Sequence, residues 1–344
     1  MGCPAAGAVI MRHRLAWCLL VFLSAGTSRL GAVPLSTDYA PGDRYMGVQL
    51  LGTVRLERSE VKGLDLSELS GLAWDADEGL FYAVSDEGAL FHLKPDFEAG
   101  RLTGLEAVAA YPLRDRKGRP LKGGRRDAEG LALRNGDNGV RGDAELLVSF
   151  EVRPRLRRYS PTGRRLGKIR LPAMLKDRRR YDTLNRALET VAIHPRYGVL
   201  TAPERPMKGA PKGEARLYST SGKGWAFRRA AHPKASLVRM DVLSDGSLLV
   251  LERAYSSLFE PFIVYLRQLW LSPECEIGAG GLCHSRSIAR FDSSEGWLID
   301  NFEGLTRYGE DGVCIVSDDS RRWFQRTLLS CFRLNTSPVQ GAPH

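Results

Sequence analysis

Few of the usual markers of an enzyme class are present in this 344-residue chain. Only one stretch, near the N-terminus, is apolar for long enough to compare with a membrane span, which excludes a multi-span membrane protein. No G-x-S-x-G elbow, S-x-x-K pair, H-E-x-x-H or P-loop occurs, so the familiar signatures of serine hydrolases, zinc proteases and nucleotide-binding enzymes are missing. Histidine is scarce: there are six, and none lies beside a recognisable nucleophile. No CxxC spacing supports a zinc site. No long amphipathic helix is legible, which argues against alternating βαβ units. Aromatic residues make up 8% and do not interleave with the basic runs, so specific nucleic-acid readout is not expected.

What remains is a folded chain rich in turns. Hydrophobic residues are 43% and charged residues 26%, and 36 Gly and 18 Pro suit many tight connections. The N-terminus reads as an export signal over 1–32: Arg12, His13 and Arg14 precede the apolar stretch Leu15–Ala25, and small residues follow. The rival reading is a buried N-terminal helix. Export to a periplasmic or secreted location is the expectation, with 33–47 a leader segment, 48–335 the folded domain and 336–344 a tail. Cys3 and Cys18 leave with the signal, and four cysteines remain. An even number in an exported chain suggests disulfides. Of the three pairings, Cys275–Cys283, across a Gly-rich loop, and Cys314–Cys331, between neighbouring strands, are favoured.

The formal charge is +10. The excess concentrates in Arg114–Arg126 (RDRKGRPLKGGRR) and Lys176–Arg180 (KDRRR). Such runs attract phosphates, anionic lipid or other polyanions, or are simply solvated loops.

Self-similarity is the strongest signal. Ser70–Asp86, Glu129–Glu151, Glu189–Glu204, Leu237–Glu252 and Glu303–Asp318 share one layout: a short strand, a turn with Gly, then a very apolar strand ending in an acid. A third, alternating strand usually follows (ALFHL, RLRRYS, ARLYST, FIVYLRQLWL, TLLSCFRL), and then a weaker fourth. Repeated four-stranded antiparallel units describe an all-β propeller with five countable blades. The last repeat lacks a fourth strand, and Val48–Leu56 (VQLLGTVRL) precedes the first, so the N-terminal strand is expected to close the ring. A sixth blade hidden in 253–299, and a β-sandwich or pair of β-domains, are the alternatives.

In this geometry the start of strand one and the end of strand two lie at the same end of each blade. Starts carry Glu129, Glu189 and Glu303; ends carry Asp86, Glu151, Glu204, Glu252 and Asp318. A ring of these eight would repel itself unless a cation or arginines neutralised it. Hard oxygen ligands suit Ca²⁺, and Arg153, Arg205, Arg253 and Arg321 follow closely enough to hold an anionic substrate. Glu129, Glu189 and Glu303 are the candidate catalytic residues. The rival view has the acids capping turns and pairing with the arginines. His194, before Pro195, is expected to cap a turn, and Trp74, Trp225, Trp270, Trp297 and Trp323 to pack blades.

Three stretches resemble the bacterial phytase-like domain, the "esterase-like activity of phytase" family: Leu69–Asp86 (LSGLAWD…FYAVSDEG), Asp127–Gly163 (DAEGLAL…LLVSFEVRPRLRRYSPTG) and Asn185–Pro206 (NRALETVAI…LTAPERP). The NFEGL at Asn301–Leu305 repeats the theme. The resemblance implies an exported propeller, calcium held by clustered acids, and hydrolysis of phosphate or related esters with an anionic small-molecule ester as substrate. A monomer is expected. A lactonase-like propeller with one central Ca²⁺, and a non-catalytic propeller binding a polyanion or protein partner, are the other readings.

Overall fold

A computed structural model describes residues 1–2, 31–183, 187–255, 260–321 and 325–335. Residues 3–30 of the expected export signal, with Cys3 and Cys18, as well as Trp323 and the expected tail 336–344, lie outside the described residues. Every repeat folds into one antiparallel sheet. Blade one is Leu69–Asp75, Leu80–Ser85, Ala89–Glu98 and Arg101–Pro112; blade two is Ala128–Arg134, Glu145–Phe150, Arg155–Tyr159 and Arg165–Ile169. Blade three is Leu188–His194, Gly198–Pro203, Glu214–Ser219 and Gly224–Arg228; blade four is Ser236–Val242, Leu248–Ala254, Ile263–Leu269 and Ser285–Asp292. The 253–299 stretch therefore supplies the outer half of blade four, not a sixth blade.

Blade five is Asn301–Tyr308, Gly312–Asp318 and Thr327–Leu334, completed by Val48–Leu56 and edged by Arg44–Tyr45. Val48 pairs with Leu334 and Leu56 with Thr327, so the two ends of the domain are joined by a full-length antiparallel ladder. This closure removes the open edge that an incomplete fifth blade would leave. Residues 33–47 pack onto the same blade and its neighbour: Tyr39 stacks on Trp297, and the Tyr45 hydroxyl donates to the Arg290 carbonyl at 2.7 Å.

The first strands of successive blades touch one another around a closed circle, which makes them the channel wall. Between blades lie the apolar layers, each built from alternate residues of facing sheets. Leu72, Phe81, Phe91, Val316 and Leu329 share one such layer, between blades five and one. Cys314 and Cys331 are direct register partners and are disulfide-bonded, and Cys275–Cys283 closes its short loop. His194 caps its turn as expected: Nδ1 accepts from the Arg196 and Tyr197 amides, and Nε2 meets the Gly246 carbonyl at 2.8 Å.

Each of the five inner strands slips register at the same place, between its first and third residues or close to it. The extra residue is Ser70, Glu129, Glu189, Val238 or Glu303. A bulge turns its side chain out of the regular alternation, and here it is re-aimed toward the channel. In three blades a glycine follows the bulge because the next blade's inner strand passes too close for a side chain. A methyl group at Gly71 would sit 2.4 Å from the Glu129 carbonyl oxygen and 2.8 Å from Val84. Gly71→Ala is therefore expected to cost about 1–3 kcal/mol by overpacking. Urea unfolding checks this, and an unchanged midpoint would mean that blade two simply slides away.

Candidate active site at the acidic channel mouth

Two positions per blade converge on one mouth of the channel: the bulge residue of strand one and a residue within one position of the end of strand two. In blade order they are Ser70 and Asp86, Glu129 and Glu151, Glu189 and Glu204, Val238 and Arg253, Glu303 and Asp318. Seven of the eight carboxylates expected from sequence thus gather in one cup. The eighth, Glu252, does not. Its register partner is Leu237, one residue before the bulge, so it points to the other side of the strand. There its carboxylate pairs with Arg267 and accepts the Ala230 amide at 3.0 Å. Arg253 occupies the cup position in blade four, and Val238, not Leu237, is the residue matching the bulge glutamates.

Asp127 joins the set. Together with Glu129 and Glu151 it brings ligand oxygens within 4.8 Å of one another, while its Oδ2 also accepts the Val152 amide at 2.9 Å. Burial, then the nearby carboxylates, push Glu151 up to about 10. Burial raises Glu129 to about 8, with Arg239 opposing and Glu303 adding to the rise. Asp318 is pushed to about 7 by burial and Glu303, although Ser320 bonds both of its oxygens. Asp86 and Glu189 are also raised well above the ordinary carboxylate range, by burial first and then by Glu129 and other nearby carboxylates. Glu189 Oε2 and Asp86 Oδ1 are buried and have no hydrogen-bond partner among the described residues. Buried carboxylates this crowded either hold protons or face a cation.

Two arginines offset part of the charge. Arg253 bonds Glu303 and Asn301 and lies 3.7 Å from Glu204. Burial works against its charge, but Glu303 and Glu204 outweigh that and raise its pKa. Arg239, which sequence reasoning missed, is 2% exposed and projects from blade four across the channel. Its guanidinium donates to the Ser70 carbonyl of blade one at 2.6 and 2.9 Å, to the Glu189 carbonyl of blade three, and meets Glu129 of blade two at 3.4 Å. An arginine within an apolar inner strand (LVRMDVL) was the available signal. The other three expected arginines stand outside the cup's ion pairs. Arg321 pairs with Glu68 at 3.0 Å, Arg153 is exposed, and Arg205 is half-buried with no ion pair among the described residues.

The donor set fits a hard divalent cation. It is all oxygen, rich in carboxylates, and includes two buried oxygens with no other partner. A cavity of about 780 Å³ lies at the opposite mouth, lined by residues such as Trp74, Leu131, Asp241 and Arg307, and holds none of these carboxylates.

A five-bladed propeller with a carboxylate cup at one mouth of its channel is the class that fold and site define. The chain belongs to the phytase-like family, described as "Esterase-like activity of phytase", whose family model matches residues 65–320. A search of curated protein sequences gave no match. A solved structure described as "Structure of Dos1 propeller" shares 10% identity at a TM-score of 0.31, covering 83% of this chain and 75% of that one.

Proposed function

We propose that the protein is a Ca²⁺-assisted hydrolase of phosphate or related esters, working at the acidic mouth. The observation that carries this is the cup itself: seven repeat-derived acids and Asp127 against two buried arginines, with Glu189 Oε2 and Asp86 Oδ1 left unbonded. Asp127, Glu129 and Glu151 would hold the cation. Bound there, Ca²⁺ supplies Lewis-acid polarisation of the ester and a lower pKa for attacking water.

The chain's own residues do the rest. Arg239 fixes Glu129 by a buried ion pair, and its bond to the Glu189 carbonyl fixes the backbone that aims Glu189. Glu189 takes the water proton through its unbonded oxygen. Glu303, locked by Arg253 and Asn301, keeps the third carboxylate in place. Arg153 and Arg205, flanking Glu151 and Glu204, receive the anionic group of the substrate, with Arg321 on the far rim. The two disulfides accord with a periplasmic or secreted enzyme.

The test is a panel of phosphate monoesters, carboxylic esters and lactones, assayed with Ca²⁺ and with chelator. Turnover on at least one ester is expected, lost with chelator and restored by Ca²⁺, and most of it should vanish in Glu129→Gln and Glu189→Gln. Full turnover in both variants would remove the site.

A further inference from the structure

The basic runs are not absorbed by the cup. In a four-stranded antiparallel blade, the loops from strand two to three and from strand four to the next blade emerge at the same mouth as the acids. The loops at 113–127, 151–154 and 204–213, and the described residues 170–183, are of this kind. They meet one another: the Arg155 side chain bonds the Arg125 carbonyl, and the Lys208 amide donates to the Arg180 carbonyl at 2.8 Å. Across them Lys122, Arg125, Arg153, Arg178, Arg180 and Lys208 are exposed, and their side chains make no hydrogen bond or ion pair among the described residues. A broad basic crescent on blades two and three therefore borders the acidic mouth.

We infer that this crescent is a docking surface for an anionic lipid bilayer, holding the propeller with its acidic mouth toward the headgroups. Several observations select that occupant. The cations spread over two blades, wider than one small anion needs. Among the described residues none of these loops carries an exposed large hydrophobic side chain; those described are Met1, Met46, Val108, Val140, Ile277 and Leu282. Adsorption is thus electrostatic, without insertion, and among the described residues there is no exposed aromatic to stack bases as single-stranded nucleic acid requires. Two disulfides belong to an oxidising compartment, where a membrane face is the extended polyanion at hand. Each Lys or Arg near an anionic leaflet contributes about 1 kcal/mol, screened by salt.

The experiment is co-sedimentation of the full chain with phosphatidylcholine vesicles and with vesicles containing about one-third phosphatidylglycerol. Its readout is binding, so it stands apart from the hydrolase reading. Binding is expected to the anionic vesicles alone, with release as salt rises from about 0.05 to 0.5 M. Lys122→Glu, Arg125→Glu, Arg178→Glu and Arg180→Glu together should weaken it about tenfold or more. Lys94→Glu, on the third strand of blade one, should not. An unchanged circular dichroism spectrum verifies folding of the variants. Equal binding to both vesicle types overturns the inference. So does undiminished binding by the folded quadruple variant, and so does capture of inorganic tripolyphosphate or duplex DNA with no uptake by anionic vesicles.

Discussion

Replacing Arg239 with methionine is expected to destabilise the protein by about 3–5 kcal/mol, the usual cost of breaking a buried ion pair from one side. Methionine keeps much of the volume, so lost packing is not the cause. The loss comes from acceptors on three other blades stranded at once. The Ser70 and Glu189 carbonyls lose charge-assisted donors, and Glu129 loses its buried cation partner. Because the guanidinium ties blade four to blades one, two and three, the effect should appear as a cooperative fall in the unfolding midpoint. Adding Glu129→Gln should recover part of the loss, since the stranded charge then disappears, and a double-mutant cycle measures how much. Wild-type stability in Arg239→Met would mean that the channel is held by packing alone.

Cation-free protein should lose stability as pH rises from about 5 to 9, the reverse of ordinary acid denaturation. Glu151, Glu129 and Asp318 have folded-state pKa values of about 10, 8 and 7, all above the values expected of an unfolded chain. A group raised in this way stabilises fully below its unfolded pKa, and that contribution fades as pH passes through the folded value. One carboxyl raised by about three units corresponds to roughly 4 kcal/mol, so a loss of that order is expected. Saturating Ca²⁺ should flatten or invert the slope, because a cation favours the ionised carboxylates and adds about 2.7 kcal/mol at one hundred times its dissociation constant. Thermal melts across pH, with chelator and with Ca²⁺, decide the matter. Parallel curves would remove the cation from the cup. Glu151→Gln in chelator should show a shallower slope than wild type.

Much of the architecture was legible because strand pairs repeat with a recognisable rhythm. The five blades, closure by Val48–Leu56 and both disulfides follow from local patterns: apolar strands, turn glycines, and a last repeat one strand short. The glutamates were legible too, since Glu129, Glu189 and Glu303 begin their repeats. Glu252 was misread for a specific reason. Turn lengths vary by one residue between blades, so counting from Gly246 does not separate Glu252 from Arg253, and on a strand that single residue selects the opposite face. Arg239 escaped for a different one: its partners are Ser70, Glu129 and Glu189, on three other blades.

Sequence by itself therefore determined the number of blades, the strand order within each and which end of every blade carries acid, because these depend on hydrophobic alternation and turn chemistry over a few residues. Tertiary structure alone decided which side chains enter the cup and what neutralises them. A one-residue bulge re-aims each glutamate, and an arginine reaching over the channel meets backbone carbonyls that no local pattern encodes.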